Sequence, residues 1–234
     1  FLKNLFSDPA IIGAPGPIRW LMARLISSRR APVARKIYAQ MGGRSPILPQ
    51  TEAQAAALTR KLAEMAPEHS WRVEIAMRYW HPFASETARR LAAFVPDRVV
   101  LLPLYPQFST TTTASSVADW RRAAGVSGIR APLSQICCYP RAEGFVAAVA
   151  DGAAKALAEA RAVAPGAPVR LLFSAHGLPK RVIAAGDPYQ AQVEMSVAAV
   201  RDKLAAAGHL DGVEVVTCYQ SRVGTLEWIG PATD

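Results

Sequence analysis

The sharpest chemistry in the sequence is a single imidazole. His176 stands in the run Ser174-Ala175-His176-Gly177, where an aliphatic stretch opens into a loop and small neighbours leave the ring uncrowded. An imidazole in that position can take or give protons near neutral pH and can ligate a divalent metal. The same spacing fits a histidine that ties its own loop by hydrogen bonds, and residue types alone leave the two readings level. Three other apolar stretches run directly into polar or aromatic chemistry: Met77-Arg78-Tyr79-Trp80-His81-Pro82, Tyr105-Pro106-Gln107-Phe108-Ser109 and Cys218-Tyr219-Gln220-Ser221-Arg222. Together the four runs supply imidazole, guanidinium, phenol, indole and hydroxyl groups, a lining suited to a flat aromatic anion.

Arg78 follows a stretch expected to be buried, where an unmatched guanidinium is expensive. A carboxylated ligand would meet it bidentately, and an acid of the same chain such as Glu74 would serve as well. The remaining residues of interest read more plainly. His81 before Pro82 is expected to be structural, His69 and His209 to lie on loops, and most of the Ser and Thr run at 109–116 to cap the next helix. Gly186-Asp187-Pro188-Tyr189 reads as a turn feeding a helix, and Cys218 as core packing. No GxxxxGK[ST], no GxGxxG after a strand and no GxSxG is present, so neither a nucleotide phosphate nor an esterase-type serine is indicated.

The elements that must position these residues alternate. Strand-like runs at Arg72 to Met77, Arg98 to Leu104, Gln135 to Cys138, Val169 to Phe173 and Val213 to Cys218 are interleaved with helix-period segments. The helices are expected at Phe83 to Phe94, Val117 to Ala124, Gly144 to Ala162 and Val193 to Ala207. Such alternation builds parallel sheets flanked by helices, with ligands beyond the carboxyl ends of the strands. A boundary near residues 135–140 gives two units, 1–138 and 139–234.

Composition sets the outer bounds. The 234 residues are 51% hydrophobic and 19% charged, which excludes a disordered polymer. The formal charge of +9 is uneven: residues 1–50 hold eight Lys or Arg against one acid, Asp8. Between those cations lie Trp20, Leu21, Met22, Leu25 and Ile26, a pattern for an acidic membrane surface rather than for strand-presented stacking on nucleic acid. The 20-residue uncharged run from Val99 to Ala118 is not a membrane span, because Pro103 and Pro106 interrupt it and eight of its positions are Gln, Ser or Thr. The three cysteines, two of them adjacent at Cys137 and Cys138, have neither zinc-site nor disulfide-framework spacing, and a reduced cytosol is the expected compartment.

Seven segments, in order along the whole chain, resemble the ferrochelatase family, which inserts ferrous iron into a porphyrin. They are Phe1 to Ile11, Tyr38 to Ile47, Met77 to Pro82, Leu102 to Ser116, Phe173 to Pro179, Gly186 to Tyr189 and Cys218 to Asp234. The resemblance implies a chelatase-like α/β fold of two Rossmann-like halves, a cleft between them and a hydrophobic lip at residues 18–37 that contacts a membrane peripherally. It implies Fe²⁺ and a porphyrin, protoporphyrin IX foremost, as substrates. His176 matches the active-site imidazole, as proton acceptor or transient iron ligand. Porphyrin contacts carry over to Tyr38, Ser45, Arg78, Tyr79, Tyr105, Val223 and Trp228.

The resemblance also implies a truncated second half. The family's first strand and its HxETL-type segment, with the carboxylate that partners the histidine, are missing, so the chain reads as a fragment expected to be inactive alone. Some relatives carry an iron-sulfur cluster, and where animal members place one further ligand this chain has Thr110, so an iron-sulfur cluster stays undecided. A chelatase for another metal or tetrapyrrole, or a non-catalytic tetrapyrrole carrier, remains an alternative.

Overall fold

A computed structural model describes residues 1–40, 42–221 and 225–233. Their contacts divide into two units, Phe1–Leu101 with Ser115–Ser134, and Leu102–Ala114 with Gln135–Asp234. The segment from Leu102 to Ala114 therefore clusters with the later part of the chain.

In the first unit, α1 (Leu2–Phe6), α2 (Gly16–Ala39) and α3 (Ile47–Met65) precede α4 (Ala84–Phe94), β1 (Val99–Leu101) and α5 (Ser115–Val126). Residues 84, 88 and 91 recur at helical spacing, so Ala84, Ala88 and Leu91 fall on one face of α4. That face packs with Val99 of β1 and with Trp120 and Ala123 of α5 to make the unit's core. Glu86 fixes the start of α4 by accepting the Phe83 N–H at 2.7 Å. β1 pairs with β2 (Leu133–Gln135), and a π-helical turn, Thr110–Ala114, leads into α5.

The second unit contains α6 (Glu143–Val163), β3 (Val169–His176), α7 (Lys180–Ala184), α8 (Tyr189–Ala206) and β4 (Val213–Gln220). β3 and β4 run parallel, in register from Val169 opposite Val213 to His176 opposite Gln220. Side chains on β3 alternate strictly: Val169, Leu171, Phe173 and Ala175 are half-buried, while Arg170, Leu172, Ser174 and His176 are exposed. The inward residues Leu171 and Phe173 meet Val146 and Ala150 of α6 and Val200 and Leu204 of α8. A second cluster, of Leu178, Val193, Tyr219 and Ile229, packs beneath the carboxyl ends of the strands.

The α/β class and the parallel pairing agree with the sequence pattern, and the differences are local. Arg72 to Met77 forms no strand; only an isolated bridge joins Met77 to Phe83, because no strand among the described residues lies beside it to complete a ladder. β2 occupies Leu133–Gln135 rather than Gln135 to Cys138, and β3 runs on to include His176. Helices α1 and α3 have no counterpart in the sequence reading. Over its whole length α2 mixes apolar and basic residues around the axis instead of segregating them. Among the described residues no helix is long and apolar enough to cross a membrane.

Candidate functional site

His176 is the last residue of β3, and period-2 alternation turns its exposed ring to the face shared with Ser174. Its Nδ1 lies 2.7 Å from the Gly177 carbonyl oxygen. A carbonyl can only accept, so in the neutral ring Nδ1 carries the proton and Nε2 keeps a lone pair. The two sequence readings of this histidine are thus compatible: one nitrogen ties the loop and the other is left as a base or a metal ligand.

The floor beside it is tightly built. A Cβ at Gly177 would meet the Gln220 carbonyl oxygen at 3.0 Å and Trp228 Cε3 at 3.4 Å, so glycine is what lets the loop close onto β4 and onto the indole. The Gly177 N–H donates to that same Gln220 oxygen at 2.7 Å. Trp228 bridges to Pro179, and its Nε1 is buried without an acceptor among the described residues. Beneath lie two phenols. Burial, with Glu194 and Tyr189 adding to it, pushes Tyr219 up to about 12. Burial likewise raises Tyr189, with the Asp187 carboxylate adding and the His176 backbone opposing.

Asp187 organises the loop that carries Tyr105. Buried itself, it accepts from Ser109 Oγ at 3.0 Å and from Thr110 N–H and Oγ1 at 2.7 Å each, while its other oxygen accepts the Tyr189 N–H at 3.0 Å where the chain enters α8. Gln192 of α8 accepts the Phe108 N–H at 2.7 Å, and Gln107 donates to Ser196 at 2.8 Å. Tyr105 itself is exposed.

A separate constellation lies in the first unit. Asp8, 5% exposed, accepts from Arg78 Nη2 at 2.7 Å, from the Tyr79 hydroxyl at 2.7 Å and from Ser115 Oγ at 2.9 Å, all on Oδ2, and from the Ala10 N–H at 2.9 Å on Oδ1. Arg78 also donates to Ser115 at 3.0 Å, pairs with Asp119 at 3.4 Å and lies 4.9 Å over the Tyr79 ring. Burial alone would raise the Asp8 carboxyl, but these donors and the Arg78 charge outweigh it and hold the group below the usual range. Tyr79 moves the other way, raised by burial and by its bond to Asp8.

Glu74, which the sequence offers as an internal partner for Arg78, is instead held by Arg72 at 2.8 Å and Arg90 at 3.0 Å. Tyr38 near the end of α2 and Ser45 before α3 are half-buried, and Ser45 Oγ accepts the Ile47 N–H at 3.3 Å. No hydrogen bond among the described residues joins either to Arg78 or Tyr79. Val223 lies outside the described residues.

A family model described as Ferrochelatase matches residues 1–234. The chain belongs to the ferrochelatase family. It is 54% identical over 236 residues to the protein named Ferrochelatase in Phenylobacterium zucineum, covering all of this chain and 65% of that relative. It is 54% identical over 237 residues to that of Caulobacter vibrioides (64% of the relative) and 45% identical over 234 residues to that of Wolbachia pipientis (72% of the relative). The chain thus spans about two thirds of the length of the curated relatives it matches.

Two residues of this ferrochelatase-family chain were not legible as site residues. Asp8 is the one acid among the first fifty residues, and that isolation in a basic stretch was its only signal. Asp187 was legible as a turn residue but not as the acceptor of the Ser109-Thr110 segment 77 and 78 positions away. Among the described residues no group of three or more His, Cys, Asp and Glu is placed to hold a metal ion.

Proposed function

We propose that the protein containing this chain inserts Fe²⁺ into a porphyrin, protoporphyrin IX foremost. The observation that carries the reading is the His176 ring, whose Nδ1 is committed to Gly177 and whose Nε2 makes no hydrogen bond among the described residues, on an exposed strand end in a chain of the ferrochelatase family. The chemical obstacle is that a free porphyrin holds two N–H protons in a small rigid hole. A base must take them as iron enters, and bending the macrocycle exposes the nitrogen lone pairs. His176 Nε2 accepts a proton in this reaction or holds the iron in transit; imidazole suits both tasks.

Trp228 and Tyr105 are the proposed porphyrin contacts of the second unit, aromatic faces matched to a flat aromatic ring. Tyr38, Ser45, Arg78, Tyr79 and Val223 are further proposed contacts. Asp8 and Asp119 already meet the Arg78 guanidinium, so Arg78 meets a porphyrin as a fixed donor scaffold with Tyr79, not as a bare cation. Helix α2 is the proposed membrane contact: it exposes Ile18, Trp20, Leu21 and Leu25 among six cations, with only Ala23 buried. Without a segregated apolar face, that surface would meet lipid through its exposed apolar side chains together with cations drawn to anionic headgroups.

Anaerobic insertion of Fe²⁺ into protoporphyrin IX by the full-length protein, followed by the loss of free-porphyrin fluorescence, tests the reading. Metal-dependent turnover supports it, and porphyrin binding without insertion of Fe²⁺ leaves a tetrapyrrole carrier or a chelatase for another metal.

A further inference from the structure

Adjacent side chains on an extended backbone project to opposite sides, which keeps neighbouring sulfurs apart. Cys137 and Cys138 follow β2 after one intervening residue, Ile136, yet their Sγ atoms are 3.0 Å from each other. The two thiols therefore converge on one side. Cys137 is exposed, Cys138 half-buried and both are free, whereas Cys218 is buried in β4. The pair is held on a fixed base: Gln192 Nε2 donates to Cys138 Sγ at 3.6 Å, and Tyr139 donates its N–H to the Pro106 carbonyl at 2.8 Å and its hydroxyl to that of Pro103 at 3.1 Å.

Each class of partner requires its own sulfur separation, to be set against 3.0 Å. A disulfide needs its sulfurs at about 2.05 Å, a further ångström of approach and an oxidant. Tetrahedral zinc, with Zn–S bonds of about 2.3 Å, spreads two sulfurs to about 3.8 Å and calls for further protein ligands. No such ligand cluster exists among the described residues. A pyramidal trivalent centre with bonds of similar length, about 2.3 Å, and near-right angles needs two sulfurs about 3.3 Å apart. It brings its third substituent with it.

We propose that Cys137 and Cys138 form a dithiol site for a monosubstituted trivalent arsenical. Each thiol gives its proton to one arsenic-bound hydroxyl, two S–As bonds replace two As–O bonds, and two waters leave. Arsenic stays trivalent and no electrons are transferred. The site is independent of His176 and of the proposed metal insertion.

The test uses hydrated phenylarsine oxide as the probe and intact mass as the readout, with about 1 mM glutathione as monothiol competitor. One phenylarsenic group per chain should be retained against glutathione and released by a small-molecule dithiol. Cys137→Ser and Cys138→Ser should each weaken retention about 10²-fold, because the second sulfur binds intramolecularly, and Cys218→Ser should leave it unchanged. The same chain in urea should retain the probe about tenfold less well, since the fold has already ordered the two side chains. Equal retention in either single variant, loss in Cys218→Ser, or equal retention in urea would overturn the proposal.

Discussion

The Asp8 carboxylate, at the end of α1, receives the Arg78 guanidinium at 2.7 Å across seventy positions of sequence. On the same oxygen it receives the Tyr79 hydroxyl and Ser115 Oγ, so one buried acid joins α1, the segment after Met77 and the start of α5. Replacing it by alanine leaves the half-buried Arg78 with only Asp119 and Ser115 and takes an acceptor from the Tyr79 and Ser115 hydroxyls.

Asp8→Ala should therefore destabilise the chain by about 2–3 kcal/mol at neutral pH, in line with hydrogen bonds to charged groups. The pH dependence has a definite sign. Asp8 is held below its ordinary value of about 3.9, so its stabilisation is full above that pH and is lost as pH falls through the depressed folded value. Urea unfolding at pH 7, 5 and 3 checks this: the gap between wild type and Asp8→Ala should be equal at pH 7 and 5 and narrower at pH 3. A gap that widens in acid would contradict it.

Gly177→Ala drives a methyl to within 3.0 Å of the Gln220 carbonyl oxygen and 3.4 Å of Trp228. Backbone cannot yield there without breaking the Gly177-to-Gln220 bond, so a loss of about 1–3 kcal/mol is expected, the usual range for overpacking. Thermal unfolding gives the size, and a shift in tryptophan emission that disappears in a Trp228→Phe background shows whether Trp228 is what moves. An unchanged melting temperature would mean that the loop has slack.

Trp20, Leu21 and Leu25 are exposed on α2. Flotation of the full-length protein with vesicles should show binding that rises with anionic lipid, falls when these three residues become serine and falls in high salt. Failure to float with any vesicle would remove the membrane contact.

The sequence was most informative where a burial pattern is one-sided. Val169 to Phe173 and Val213 to Cys218 became the parallel pair β3 and β4, because inward Leu171 and Phe173 can only be satisfied by α6 and α8. It was least informative where geometry depends on distant partners. Arg72 to Met77 has a strand's composition but no neighbour, and hydrogen bonding, not propensity, decides a strand. His176 stood out as a candidate by its small neighbours, with its functional and structural readings level; the tautomer was not legible, since it follows from a 2.7 Å contact with the next residue's carbonyl. Likewise the need of Arg78 for a counter-charge was readable, but Glu74 was nearer in sequence than the acid that meets it, Asp8.

The central claim is that His176 Nε2 serves metal insertion and is not needed to hold the porphyrin. It is tested most directly by comparing His176→Ala with wild type in the full-length protein, measuring anaerobic Fe²⁺ insertion and porphyrin affinity by fluorescence on the same samples. Insertion should fall by about 10²- to 10⁴-fold, the usual loss for a positioned acid or base, while porphyrin affinity stays within about threefold, well under the tenfold that 1.4 kcal/mol would give. Near-normal turnover in His176→Ala, or a loss of insertion matched by an equal loss of porphyrin binding, would contradict the account.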